Sequence, residues 1–361
     1  MKTGITLEEM FQTVVQQNNR KADYLTDTRN LLMEPNGDSV LMRMLDENHT
    51  DMVEPMNIQQ RVHRQIGTFL KIPASYYDRM LVENPTLLAS NVNAWFQQNP
   101  DNRMLRTLGG TARAFLSDSY RRIDHFEILQ AVLPILSQIP DVRFESAQIT
   151  EDRMYIKVVN PRLESEVAPG DIVQAGVVIS NSETGQGSVS VQPLLLRLVC
   201  MNGMTVNDAG TRKYHVGRTN SADENFRLFR DETLLADDKA FMLKLQDIVT
   251  AATDEVQFNR VVHMMQAASG QAITSNDIPS VVKLVSKDYG LTETEGVQVL
   301  NHLIKDGDLS LYGLSNAVTR FSQDVESYDR ATKLESIGYD ILTIDPRAWQ
   351  RLNQLQLPAA A

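Results

Sequence analysis

Three pairs of segments between residues 103 and 192 alternate apolar and polar side chains, and a short turn-forming stretch joins the two members of each pair. Gly109-Gly110 joins the first pair, and NSETGQG (181–187) joins the third. Because side chains in a strand point alternately to its two faces, this pattern predicts β-hairpins. The middle of the chain is therefore expected to fold around antiparallel strands.

The segments before and after these hairpins have the spacing of amphipathic helices. Thr6 with Glu9 makes a capping box at the start of the first helix, and Asp124 with Glu127 does the same after the first hairpin. We predict an α+β fold with a mainly helical region at 1–102, a core of antiparallel hairpins with packed helices at 103–220, and an acidic helical region at 221–361. The stretch LESIGYDILTI (334–344) is expected to form a helix, a turn and a strand.

Residues 181–203 raise two further questions of structure. Gly185 and Gly187 are not followed by the lysine of a phosphate-binding loop, and they lead into the strand-like SVSV, so a hairpin loop is predicted. The next stretch, QPLLLRLVCMNG (192–203), interrupts the alternation. We predict a buried helix there, with Pro193 in its first turn and Gly203 at its C-terminal cap. The alternative is a central strand with Pro193 at its start or at a bulge.

The residues that could carry chemistry do not form a recognised catalytic or metal-binding pattern. Cys200, Asn202 and His215 are of the types found in a Cys–His–Asn site, but a single cysteine in an apolar run is more often an inert core residue. The six histidines lack metal-ligand spacing, and no glycine-rich nucleotide motif is present. We expect no enzyme activity, no cofactor and no bound metal.

The composition favours a protein of a reducing compartment. Cys200 is the only cysteine, so no internal disulfide can form. The N-terminal stretch lacks an apolar signal core, and no apolar run approaches the roughly 18 residues that a membrane span needs. A cytoplasmic location without membrane association is the expectation.

The net charge of −11 is unevenly distributed along the chain. Residues 61–122 carry nine Lys or Arg against four Asp or Glu, whereas residues 220–361 carry thirteen against twenty-one. Arginine contacts phosphate and aromatic rings stack on bases, so the basic segment predicts a nucleic-acid interface. The alternative places the aromatic rings in the core and the arginines along helix surfaces. The predicted binding residues are Arg103, Arg106, Arg113, Tyr120, Arg121 and Arg122, and a second group of Arg212, Lys213, His215 and Arg218.

Three separated segments resemble the phage- and plasmid-type proteins catalogued as a domain of unknown function, number 932. They are AGVVISNSETGQGSVSVQPLLLRLVCMNGM with RKYHVGRT after it, ARAFLSDSYRRIDHFEIL, and LSLYGLSNAVTRFSQDVESYDRATKLESIGYDIL. The resemblance implies a phage, prophage or plasmid origin and a bacterial cytoplasm, and it implies no catalytic residues. The order of hairpin, helix and further antiparallel strands is also similar to that of single-strand-annealing proteins, which assemble into rings.

Two hypotheses about function follow from these patterns. The first is a nucleic-acid-binding accessory protein of DNA replication or recombination, which binds or anneals single strands as a homo-oligomer. The second is a protein-interaction or assembly module without direct nucleic-acid contact, with a host or phage protein as partner. The first hypothesis requires the basic residues to share one face of the folded chain.

Overall fold

The computed structural model describes residues 1–120, 122–187, 189–207, 231–252 and 255–354. Within these ranges the chain forms two β-sheets, whose strands pair mainly antiparallel, and helices that precede and follow them. The predicted α+β class, with antiparallel hairpins in the middle and helices at both ends, is confirmed. No helix in the described ranges is long and apolar enough to cross a membrane.

The first sheet has six strands in the order β1-β5-β6-β4-β3-β2. The Gly109-Gly110 hairpin is confirmed as the β5–β6 turn, where both glycines have positive φ. Residues 21–58 hold four of the six strands beside the helices of region 1–102, and the sheet continues past residue 102 in β5 and β6. The strands are β1 (Lys21–Asp27), β2 (Leu31–Asn36), β3 (Ser39–Met44), β4 (Met56–Ile58), β5 (Asn102–Leu108) and β6 (Thr111–Ser117).

Three helices of the N-terminal part cover one face of the six-stranded sheet and enclose a core with it. They begin near the predicted positions, after Gln59, Pro73 and Asn84. Their apolar stripes supply Val62, Ile66 and Phe96, which pack against Met33 and other methionines of β2 and β3. The helices are α2 (Gln60–Phe69), α3 (Ala74–Glu83) and α4 (Pro85–Gln98).

The second sheet is a five-stranded antiparallel meander in the order β11-β10-β9-β8-β7. One of its faces packs partly against α1, α5 and α6 and partly against the C-terminal helices. The capping boxes predicted for the starts of α1 and α5 are both present. The elements are α1 (Leu7–Arg20), α5 (His125–Leu136), β7 (Arg143–Ile149), β8 (Met154–Ala168), β9 (Asp171–Asn181), β10 (Ser190–Arg197), β11 (Asn202–Thr205) and α6 (Asp231–Ala252).

The predicted buried helix at 192–203 is wrong, because this stretch forms most of β10, a turn and the start of β11. The leucine run is continuous because β10 is buried on both faces: Leu195 joins one apolar cluster, and Leu194 and Leu196 join another. A strand covered on both sides loses the alternation that identifies a half-buried strand. Pro193 lies level with the end of β11, where its carbonyl still accepts from the Val206 N–H at 2.8 Å.

The C-terminal helices form a bundle against the five-stranded sheet. The strand predicted at the end of 334–344 is absent, because α11 continues to Leu342. This helix is fixed to the sheet by a fully buried ion pair, in which the Lys157 Nζ donates to Glu335 Oε2 at 2.6 Å. The helices are α7 (Glu255–Ser269), α8 (Ile278–Asp288), α9 (Glu293–Asp306), α10 (Leu311–Phe321), α11 (Tyr328–Leu342) and α12 (Pro346–Asn353).

Candidate nucleic-acid interface

Half of the predicted binding residues can be placed in the structure. The other half lie outside the described residues and stay predictions; they are Arg121, Arg212, Lys213, His215 and Arg218. Among the placed residues, Arg103 stands apart from the others. Its guanidinium lies 4.0 Å from the centre of the Phe69 ring and 5.3 Å from that of Phe115, so its side chain closes the core under α2.

Arg106 on β5 is fully buried and holds two carboxylates of other elements. Its Nε and Nη2 donate to the two oxygens of Asp23 on β1 at 2.8 and 3.1 Å, and Nη2 also donates to Asp124 Oδ1 at 2.6 Å. Burial disfavours its charged form, but the bonds to these two carboxylates raise the pKa of Arg106. Burial acts against the charge of Asp124 as well, yet Arg106 and Lys21 together lower its pKa. Arg106 and Asp124 are therefore both charged at neutral pH.

The NSETGQG loop between β9 and β10 packs against this network. Arg106 Nη1 donates to the Glu183 carbonyl at 2.8 Å, and Arg113 Nη1 donates to Glu183 Oε2 at 2.6 Å. The backbone N–H of His125 donates to the other carboxylate oxygen at 2.6 Å. Burial opposes ionisation, but His125 and Arg113 lower the pKa of Glu183. The loop is a hairpin loop, as predicted, and it connects the two sheets through one buried carboxylate.

The exposed edge of this network carries two further arginines. Arg122 places Nη1 3.6 Å from Asp23 Oδ2, and its side chain is 56% exposed. Arg20, at the end of α1, is exposed, and its guanidinium lies against Gly109 of the β5–β6 turn. We define the arginine cluster as the basic residues Arg20, Lys21, Arg106, Arg113 and Arg122 with the acidic residues Asp23, Asp124 and Glu183.

The structure thus brings together Arg106, Arg113, Tyr120 and Arg122, although no sequence pattern indicated their acidic partners. The Tyr120 hydroxyl donates to the Ser182 carbonyl at 3.3 Å, which fixes it to the same loop. The prediction that Arg106 and Arg113 line a surface needs correction, because they are 0% and 6% exposed and hold buried carboxylates. Contact with a phosphate would require these ion pairs to open. Their role in this conformation is to hold the edge on which Arg20 and Arg122 lie.

The rest of the basic segment is largely neutralised at the surface. Its arginines on α2 and α3 form ion pairs with nearby acids: Arg61 with Asp152, Arg64 with Asp78, and Arg79 with Glu83. Ion pairing of this kind offsets the charge excess that the sequence showed for residues 61–122. Among the predicted binding residues that the structure describes, Arg122 is the arginine that remains open to a phosphate.

The residues of the Cys–His–Asn hypothesis are not assembled within the described ranges. Asn202 Nδ2 donates to Thr319 Oγ1 at 2.5 Å, so its amide faces α10. Cys200 is half-buried in the β10–β11 turn rather than in the core, and its Sγ lies 3.7 Å from Arg197 Nη1. His215 lies outside the described residues. Within the described ranges, no group of three His, Cys, Asp or Glu side chains has the arrangement of a metal site.

The two sheets are joined by a buried ionic cluster and flanked by helices, and together they make this an α+β protein. The family model described as a domain of unknown function (DUF932) matches residues 114–337, and the chain belongs to this family. The match runs from within β6 into α11 and includes Arg122, Asp124 and Glu183 but not Arg20 or Asp23. No curated protein matches the chain. No solved structure matches it either.

Proposed function

We propose that the protein is a nucleic-acid-binding accessory protein of DNA replication or recombination, encoded by a phage or plasmid and active in the bacterial cytoplasm. It binds single strands through the exposed edge of the arginine cluster. The observation that carries this proposal is that Arg122 is exposed beside Asp23 of the buried network, while the exposed Arg20 directly precedes Lys21, which pairs with Asp124 of the same network. Arg122 is exposed and only loosely paired with Asp23, so a phosphate can replace that contact at little cost.

The buried network supports the proposal by making this edge rigid. Asp23 and Asp124 are fixed by Arg106, and Lys21 contacts Asp124 as well. A backbone held in place by such a network presents Arg122 to a phosphate without a further ordering cost for the chain beneath it. Arg121 and the second basic group at 211–218 stay predicted contributors of the same interface.

The charge-reversal variant Arg20→Glu/Arg122→Glu tests the proposal. Fluorescence anisotropy with a labelled single-stranded oligonucleotide should show affinity falling at least tenfold at low salt, because two attractive charges become repulsive. The slope of log K against log salt should become shallower by about 1.4, since each single-strand phosphate contact contributes about 0.7. Arg347→Glu, an exposed arginine on α12, is the matched control and should leave binding unchanged. Equal affinity of both variants and the wild type would contradict the proposal.

The assembly module remains a second candidate because α9 exposes apolar side chains on one face. Val297 and Ile304, seven residues apart, are 56% and 60% exposed. An exposed apolar stripe of this kind is typical of an interaction surface. Sedimentation velocity across micromolar concentrations should show a homo-oligomer, and Val297→Ser/Ile304→Ser should reduce its mass. The assembly module would be favoured if the oligomer dissociates in this variant and the wild-type chain binds no single strands.

A further inference from the structure

A polar cleft of about 260 Å³ lies between α11 and one end of the five-stranded sheet. Four neighbouring strands or their ends contribute to its floor, and the first half of α11 forms its opposite wall. Its lining side chains are almost all hydroxyls, amides and charged groups. They are Arg153, Tyr155, Ser180, Ser190, Gln192, Thr205, Asn207, Asp329, Thr332, Lys333 and Ser336, with Gly187.

The polar lining follows from the alternation of the strands. Tyr155, Ser180 and Ser190 lie directly opposite one another across β8, β9 and β10. Their neighbours in sequence, such as Ile156 and Ile179, face the other side and belong to the apolar core beneath α5. On a two-faced strand, polar residues at alternate positions normally face water. Here α11 covers them, so a layer of polar groups lies on this face beside the small apolar cluster that contains Leu194 and Leu196.

Three hydroxyls of this layer have no hydrogen-bond partner within the described part of the chain. They are Ser190 Oγ, Thr205 Oγ1 and Thr332 Oγ1, which are all buried atoms. Thr205 is only 1% exposed, so bulk water does not satisfy it. Most buried polar side-chain atoms in folded proteins have a partner, and leaving one unpaired costs free energy. Three unpaired hydroxyls lining one cleft offer hydrogen bonds to the polar groups of whatever fills it.

The charges of the cleft favour an anionic ligand. Arg153 donates to the Gln186 carbonyl at 2.9 Å and to Ser180 Oγ at 3.1 Å, which holds its guanidinium at the wall. Lys333 on α11 is exposed and has no ion pair with another described residue. The one lining carboxylate, Asp329, already accepts from the Tyr155 hydroxyl at 2.7 Å. Two cations therefore face a single carboxylate whose Oδ1 is occupied.

We propose that this cleft binds a phosphorylated pentose, with the phosphate near Arg153 and Lys333 and the sugar hydroxyls paired with Ser190, Thr205 and Thr332. The volume suits a ligand smaller than a typical drug-sized molecule. The lining contains a single aromatic side chain, so the sugar phosphate rather than a stacked base provides recognition. The ligand is either a free nucleotide or sugar phosphate, or one unit of a nucleic-acid strand. The site is separate from the arginine cluster and does not depend on its proposed function.

Isothermal titration calorimetry with ribose 5-phosphate tests this proposal on the full chain. Ribose and inorganic phosphate, as separate ligands, should each bind at least about tenfold more weakly, because each satisfies half of the cleft. Thr205→Val/Thr332→Val should weaken ribose 5-phosphate by roughly 10-fold or more, since two hydrogen bonds are lost. The melting temperature should stay equal or rise, because these hydroxyls have no partner in the protein. Lys333→Gln should weaken binding and reduce its salt dependence.

Two control variants make the outcome interpretable. Thr68→Val on the exposed side of α2 and Lys283→Gln on α8 make the same chemical changes away from the cleft and should bind like wild type. Adding a single-stranded oligonucleotide distinguishes the sources: displacement of ribose 5-phosphate identifies a strand, and no displacement identifies a free ligand. No binding of ribose 5-phosphate at millimolar concentration would overturn the proposal. Unchanged affinity in the double threonine variant, or equal binding of inorganic phosphate, would overturn it as well.

Discussion

Replacing Arg106 with methionine should destabilise the fold by about 3 kcal/mol at neutral pH. The substitution keeps much of the side-chain volume but leaves Asp23 and Asp124, whose side chains are 10% exposed, without their shared guanidinium. Removing one partner of a buried ion pair typically costs about 3–5 kcal/mol. Lys21 still contacts Asp124, and Arg122 lies 3.6 Å from Asp23, so the lower end of that range applies here.

The effect of Arg106→Met should also depend on pH in a defined direction. The folded-state pKa of Asp124 lies below its ordinary value, so its contribution is fully present above about pH 4 and is lost as pH falls through the folded pKa. The gap between variant and wild type should therefore be largest at pH 7 and shrink below pH 4. At low pH a protonated Asp124 no longer needs the guanidinium.

Urea unfolding followed by circular dichroism measures both effects, with Arg122→Met as the control. Arg122 is 56% exposed and pairs with the same Asp23, so its loss should cost less than about 1 kcal/mol. A cost below 1 kcal/mol for Arg106→Met at pH 7 would refute the structural role assigned to this arginine. A gap between variant and wild type that widens below pH 4 would refute the electrostatic explanation.

Two further predictions concern single side chains. Burial lowers the pKa of His63 to about 4, so the free energy of unfolding should fall by up to roughly 3 kcal/mol from pH 6.5 to 4. In urea titrations, His63→Phe should flatten this pH dependence. An unchanged pH dependence in the variant would argue against His63 as its source. Cys200→Ser should shift the melting temperature by only a few degrees and leave oligonucleotide binding intact, because Cys200 is half-buried in a turn. Loss of oligonucleotide binding in a variant that stays folded would revive the Cys-based hypothesis.

The hairpins and most helices could be predicted because their signals are local. Thr6 and Glu9 form their capping box within one turn of helix, and Gly109-Gly110 forms its turn within two residues. Among the strands at 21–58, GDSVLMRML (37–45) indicates a short strand at the position of β3, but the others could not be identified in the same way. Most are six residues or shorter, and β1 follows α1 directly, with Lys21 serving as both the C-cap and the first strand residue. β1 pairs with β5 and β4 pairs with β6, and both partners come more than forty residues later.

The arginine cluster shows a second reason why sequence patterns were insufficient. Composition indicated basic residues in 61–122 correctly, but the acids that neutralise them come from distant elements. Asp23 lies 83 positions before Arg106, and Glu183 lies 70 positions after Arg113. Local charge counts cannot show such pairings. Arg122 alone, among the placed arginines of the prediction, kept an exposed guanidinium.

The sequence shows the polar residues of the cleft as an alternating pattern in β9 and β10. This pattern alone does not indicate that α11, far along the chain, covers them. In β9 and β10 the residues Ser180, Ser190 and Gln192 alternate with valine and isoleucine, which is typical of a strand with one solvated face. The sequence therefore predicted a hairpin and nothing more. Whether α11 covers that face is decided by Lys157 and Glu335, which are 178 positions apart and form a fully buried ion pair. This ion pair holds α11 over hydroxyls that would otherwise face water. The proposed ligand would supply hydrogen-bond partners for the three of these hydroxyls that have none in the protein.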